Sequence, residues 1–264
     1  MKKKNILNTF IIIFISIYLL FPLVLTFIYS TFNEWTGILP TGFTFQYYID
    51  IFQDSLFIAS LLRSLFIAFI SVFICTIVMI LVLYVTTLYL PKLERIVETL
   101  CTIPYAIQGI IIAVGVLSLY SGMDGLLGNR LVLLIGTYCI VVLPYIYRGL
   151  KNSLNSVSVH TLIEAAVMLG CSQTKAFFKV VLPNIKSGIV VSMMISIAMI
   201  FADFAIVNII GGSYFQTASM YLYKAMSKSG QITSAIIVVL FLTTLAISFV
   251  VSKLEKKTSL EGES

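Results

Sequence analysis

Charge is the scarcest commodity in this chain. Only 11% of its 264 residues are charged, against about 25% in an ordinary soluble domain. A water-exposed globular surface is therefore excluded, and with it the soluble enzyme classes. Histidine occurs once, at His160, so no H-E-x-x-H metal pair exists. The four cysteines, Cys75, Cys101, Cys139 and Cys171, form no C-x-x-C pair. Two of them, Cys75 and Cys139, fall well inside apolar runs and Cys101 at the edge of another, so they read as small packing residues rather than disulfide or metal ligands. No G-x-x-x-x-G-K-[ST] is present, so the chain is not expected to bind ATP itself. No G-x-S-x-G nucleophile turn occurs either. The glycines of Gly122–Gly128 lack a strand–loop–helix setting and read as a turn. No catalytic residue, cofactor or metal is expected. The net charge of +6 needs no nucleic acid, because lysines retained on one membrane face account for it.

Hydrophobic residues make up 59% of the chain, and they come in long runs. A bilayer crossing takes about 20 apolar residues. Six candidates satisfy this: Ile6–Tyr29, Leu56–Leu90, Leu100–Tyr120, Leu131–Leu150, Ser187–Ile210 and Ile232–Val251. The expected fold class is all-α, a polytopic membrane protein with six transmembrane helices. The first run follows Lys2-Lys3-Lys4 but is too long for a signal-peptide core and has no small-x-small cleavage site after Tyr29, so it reads as an uncleaved span. Expected boundaries are 1–55 for the first span and an outer segment, 56–252 for a five-span body, and 253–264 for a tail.

Basic residues set the orientation. With the N-terminus in the cytoplasm, one side holds Lys2, Lys3, Lys4, Lys92, Arg95, Arg148, Lys151, Lys175, Lys179, Lys186, Lys253, Lys256 and Lys257, and the other holds Arg63, Arg130, Lys224 and Lys228. That is 13 against 4 of the 17 basic residues. The bias predicts both termini inside.

One stretch has no role in crossing a membrane. The inner loop of about 151–186 is too small for a catalytic domain and long enough for two short helices. Thr161 and Glu164 stand at capping-box spacing. Leu162, Ala165, Ala166 and Leu169 follow as one apolar face. Gly170 suits a helix end at positive φ, Ser172 suits the cap of a second helix, and Pro183 ends it or opens the next. The pattern alone fits two burials equally well: on the inner leaflet, or against another protein.

The spacing of this loop resembles a known signature. It reads Glu164-Ala165-Ala166, three residues, Gly170, nine residues, Val180, one residue, Leu182-Pro183. This is similar to the EAA motif of permease subunits of bacterial binding-protein-dependent ABC importers. Val180 stands where isoleucine is usual, and Ser187 where proline is frequent. The likeness runs over about residues 60–250. It implies that the loop forms coupling helices seated in a groove of a separate ATPase subunit. Glu164 would then make polar contacts near that subunit, Ala165 and Ala166 would allow close approach, and Gly170 would form the bend. It further implies two ATPase copies, a second permease subunit (a copy of this chain or a paralogue), an extracytoplasmic solute-binding protein, and residence in the bacterial inner membrane.

Asp203 is the one clear carboxylate inside an apolar run. A charge at depth faces water or a partner, so Asp203 either lines the translocation path or hydrogen-bonds at a helix break. Pro104, Gln108, Gly109 and Gly115 interrupt the third run, and Gln108 is a second path candidate, because unwound backbone is tolerated beside a cavity. Gly188, Ser192 and Ser196 recur every four residues, a stripe that favours helix packing. An ion-coupled secondary transporter using Asp203 is the rival function, but the internal repeats common in that class are not visible. A membrane-embedded hydrolase lacks a nucleophile–base pair. Within the importer group the likeness is greatest to polyamine, ferric-iron, thiamine and phosphonate permeases. A lone intramembrane acid points toward a cation such as spermidine or putrescine.

Overall fold

The computed structural model describes residues 2–35, 40–212 and 214–261. It is helical almost throughout, as the apolar runs require, since only helices and closed barrels satisfy every backbone polar group in lipid. Two compact units emerge, Met1–Ser60 with Met220–Leu245, and Leu61–Ser219 with Ala246–Ser264.

The first unit opens with α1 (Lys2–Ser30). Its side chains from Ile11 to Phe27 are largely exposed, as expected of a helix whose neighbour is hydrocarbon. A small antiparallel pair follows, β1 (Phe32–Glu34) and β2 (Thr41–Phe43), with Phe32 opposite Phe43; the apolar periodicity gave no sign of it. Next is α2 (Gln46–Gln53). Ser30 and Tyr48 share a hydrogen bond of 2.5 Å, and the Tyr221 hydroxyl donates to Asp54 Oδ2 at 2.6 Å. That bond from Tyr221 is the main reason the Asp54 carboxyl is held below its ordinary value.

The chain continues through α3 (Ser55–Leu88), about 50 Å long at 1.5 Å per residue and longer than an upright crossing needs. It is followed by α4 (Glu94–Thr102) and α5 (Gly109–Tyr120), and then α6 (Arg130–Ser156). Beyond α6 lie α7 (Val159–Met168), α8 (Gln173–Ala176) and α9 (Leu182–Asn184), then α10 (Lys186–Ala202) and α11 (Ala205–Ile210). The last helices are α12 (Ala218–Ala225) and α13 (Gly230–Glu261). Among the described residues, four helices are long and apolar enough to cross a membrane alone. Two bent pairs raise the number to six.

The interruption expected in the third run is a sharp bend, and the second bent pair, Gln173–Asn184 with Lys186–Ala202, lies at the entry to the fifth run. The third run is not one helix: the segment Pro91–Ala106 meets α5 at 99°. The break falls at Ile107 and Gln108, both in extended backbone. Pro104 and Gln108 are thus at the interruption, while Gly115 lies in the body of α5. The fifth run also breaks, at Asp203 and Phe204, between α10 and α11.

The core of the second unit is α10 packed on α6. Small residues set the approach. A Cβ on Gly149 would lie 1.7 Å from Ser192 Oγ, and one on Gly188 would lie 1.7 Å from Ser153 Oγ. Ser192 and Ser196 are buried and donate to the carbonyls of Gly188 and Ser192 along their own helix. The four-residue stripe is a packing seam. Cysteines act similarly where α3 meets α6: the Cys75 thiol donates to the Cys139 carbonyl at 3.5 Å and the Cys139 thiol to the Ser71 carbonyl at 3.3 Å.

Gly188→Leu should therefore overpack the seam and cost about 1–3 kcal/mol. Gly115→Ala, which meets nothing within 4 Å, should be neutral or stabilising. Thermal unfolding of the detergent-solubilised chain tests the contrast; equal melting temperatures for the two variants would contradict it.

Candidate functional site

The loop carrying the signature begins where α6 ends. Val157 is extended, and the Val159 amide returns to the Val157 carbonyl at 2.9 Å. This turn starts α7 at Val159, two residues before the expected Thr161. Ser158 stands at the N-cap without a side-chain cap bond, so Thr161 and Glu164 lie inside the helix and no capping box forms. The early start also rotates the buried face. Val159, Ile163 and Ala166 are buried at i, i+4 and i+7, in place of the expected Leu162, Ala165, Ala166 and Leu169. Ala166 is common to both sets. Glu164 and Ala165 are exposed. Met168 and Leu169, at 89% and 88%, are the most exposed large apolar side chains among the described residues.

Gly170 closes α7 at φ +87°. The Cys171 amide reaches the Ala166 carbonyl at 3.0 Å and the Gly170 amide reaches Val167 at 2.9 Å. These two bonds make a Schellman cap, in which glycine avoids the Cβ penalty of the left-handed region. Ser172 Oγ then accepts from the Lys175 amide at 3.4 Å and caps α8. The second helix is not continuous. A wide π-turn, Phe177–Val181, lies before α9. Pro183 has no N–H for the Lys179 carbonyl and crowds it, and a wider turn accommodates this. The Asn184 side chain donates to the Val180 carbonyl at 2.8 Å. The piece Gln173–Asn184 then meets α10 at 66°.

Aromatic contacts fasten the loop to α3. Tyr84 lies 5.2 Å from Phe177 and 5.3 Å from Phe178 between ring centres, and its hydroxyl is 2.8 Å from Thr174 Oγ1. Phe177 and Val181 are buried. Beside the start of α7 a polar cleft of about 530 Å³ is lined by Glu94, Lys151, His160 and Thr161 among others. Lys151 and Glu94 form an ion pair across it, joining α6 to α4. Lys175, Lys179 and Lys186 are exposed. The loop is thus rigidly held at its root and bare at its tip.

Asp203 has partners that its own span could not reveal. Tyr138 of α6, 1% exposed, donates its hydroxyl to Asp203 Oδ2 at 2.9 Å. The Ile206 amide donates to the same oxygen at 3.0 Å, capping the start of α11, where a carboxylate is favoured. Ser219 Oγ donates to the Asp203 carbonyl at 2.7 Å. At the other end of α11, Arg130 donates to the Ile210 carbonyl at 3.0 Å and lies over the Tyr214 ring at 4.9 Å. Tyr138 was missed in the sequence because a tyrosine on a buried helix face has no signal until the facing helix is known. Gln108 is exposed. Next to it, a Cβ on Gly109 would come within 2.9 Å of Ile206 Cδ1, so the break at Gln108 abuts the start of α11. No group of three or more metal-ligating side chains occurs among the described residues.

Residues 59–259 match the family described as binding-protein-dependent transport system inner membrane component, and the chain belongs to that family. It is a permease subunit of an ABC importer, a transport subunit rather than a catalytic one. A spermidine/putrescine transport system permease protein, PotC, of Haemophilus influenzae is 23% identical over 96% of this chain and 98% of its own length. A phosphate transport system permease protein PstA homolog of Mycoplasma genitalium is 33% identical over 113 residues, 42% of this chain; the chain spans only 17% of that relative's length. Among solved structures, a bacterial ABC transporter involved in alginate import superposes with a TM-score of 0.78 at 18% identity, covering 97% of this chain and 96% of that one. The MetNI methionine ABC transporter gives 0.63 at 21% identity, over 77% and 96%.

Replacing Asp203 by alanine should strip the cap from α11 and leave the buried Tyr138 hydroxyl unpaired, at a cost of about 1–3 kcal/mol. Asp203→Asn keeps an acceptor and should lose less. Thermal unfolding together with hydrogen exchange at residues 205–210 measures both; an alanine variant as stable as the asparagine one would contradict the cap.

Proposed function

We propose that this chain forms the translocation path of an ATP-driven solute importer, and that the loop of 151–186 docks onto a separate ATPase subunit. The observation that carries the reading is the tip of α7. Its inner face is buried on its own chain, its end is fixed by the Gly170 cap, and it presents Met168 and Leu169 almost fully bare. Burying each of these in a partner's groove is worth about 1.5–3 kcal/mol. Glu164 and Ala165 lie exposed on the same helix, where a polar contact and a close approach are wanted. Leu182 and Pro183 set the bend that leads into α10.

The same reading puts the loop and both termini in the cytoplasm, on the strength of the basic-residue bias, within a bacterial inner membrane. The assembly would hold two ATPase copies, a second permease (this chain again or a paralogue) and an extracytoplasmic solute-binding protein. A polyamine is the proposed solute. The support is the relative from Haemophilus influenzae, covered over 98% of its own length and named for spermidine and putrescine; Asp203 adds none, because its carboxylate is engaged by Tyr138 and the Ile206 amide. A phosphate-type anion is the second reading, favoured by the names of the Mycoplasma relatives, of whose length this chain spans 17%. Ferric iron, thiamine and phosphonate remain the other members of the group.

Gly170→Val tests coupling. A β-branched residue at positive φ costs about 1–2 kcal/mol and should displace the tip. ATP-driven uptake in proteoliposomes reconstituted with the ATPase and binding protein should fall sharply, with membrane insertion and melting temperature nearly kept. Full uptake by this variant would refute the docking role.

A further inference from the structure

Resting on the permease reading, we propose that the carboxamides of Asn208 and Gln108 line the solute path and make its polar contacts, while Asp203 positions the segment that presents Asn208. The ligand class that suits them is a polar solute carrying N–H or O–H groups, because a carboxamide offers both donors and an acceptor and no net charge.

Three observations converge. First, α11 buries one face, Ile206, Val207 and Ile210. Asn208 lies about 200° round the helix from Ile206 at 100° per residue, and its side chain is exposed. Its amide belongs to an apolar stretch, Ser187–Ile210, and has no hydrogen-bond partner among the described residues. A bare amide facing lipid is unfavourable, so this face requires water, solute or a polar partner.

Second, Gln108 has the same character: exposed, extended in backbone, and without a side-chain partner among the described residues. The two are neighbours by element, since α5 packs on α11, with Gly109 in close approach to Ile206. Third, Gln108 sits at the break before α5, and Asn208 lies one turn into α11 past the break at Asp203 and Phe204. Non-helical backbone at membrane depth is tolerated inside protein or along a water-filled cavity. A break and a short helix in contact, each presenting an unpaired amide, describe the wall of such a cavity.

Asp203 contributes differently. Its Oδ2 is taken by Tyr138 and the Ile206 amide, and its carbonyl by Ser219. With Arg130 holding the Ile210 carbonyl, both ends of α11 are pinned, and the rotation that turns Asn208 outward is fixed.

Cysteine accessibility in the assembled transporter tests this independently of coupling. In a background with the four native cysteines replaced by alanine, Asn208→Cys and Gln108→Cys are treated with a water-soluble cationic methanethiosulfonate. Phe73→Cys, at an exposed apolar position of α3, is the lipid-facing control. Both path positions should react at least about ten-fold faster than the control, because a thiolate forms only where water reaches. Labelling of Asn208→Cys as slow as the control would overturn the proposal, whatever Gly170→Val does. A second measurement addresses contact. Asn208→Leu should raise the KM for spermidine uptake by about ten-fold, the worth of a lost hydrogen bond, and Asn208→Gln should recover most of it. An unchanged KM in Asn208→Leu would remove the contact role.

Discussion

In hydrocarbon, a peptide N–H or C=O without a partner costs several kcal/mol, and this one constraint governs where the chain may leave helical geometry. Through α1, α3, α6 and α13 it never does. Where the apolar segments break, the structure supplies replacements. At the α10–α11 break these come from Asp203, Tyr138 and Ser219; at the far end of α11, Arg130 supplies one. Breaks are costly enough that each needs a purpose. The two in the second unit meet where Gly109 approaches Ile206, the place proposed above for the polar wall of the path.

The loop after α6 answers to a different constraint. In the proposed docking role it carries force, which asks for a stiff root and a sticky tip. Stiffness comes from the Schellman cap at Gly170, the Ser172 cap and the Tyr84–Phe177–Phe178 cluster. Stickiness comes from Met168 and Leu169. The π-turn before Pro183 shows how a residue of the signature shapes the backbone by what it lacks, an N–H, and not by any contact of its side chain.

Much of this was legible in the sequence, and the limits have physical causes. Long apolar runs located the four helices that are long and apolar enough to cross alone and the apolar parts of the two bent pairs, because a bilayer demands length and composition and little else. Gly170, Ser172 and the Gly188–Ser196 stripe were readable because each depends on local backbone or side-chain size. The register of α7 was not: its start is set by the turn at Val157 and Ser158, which overrode the capping-box spacing at Thr161 and moved the buried face from Leu162 and Leu169 to Val159 and Ile163. A helix break at Asp203 was one of the two readings open in the sequence, but its main partner, Tyr138, was hidden because it lies on another helix. The short pair β1–β2 is set by cross-strand pairs such as Phe32 with Phe43, which a three-residue strand cannot advertise.

The central claim is that the tip of α7 is seated in a separate ATPase subunit. A photo-crosslinking residue, p-benzoylphenylalanine, placed at position 169 of the full-length chain in native membranes tests it most directly. The account predicts a covalent adduct with the ATPase subunit upon illumination, diminished when that subunit is absent. Adducts with lipid alone, while the ATPase still co-purifies with the permease, would contradict it.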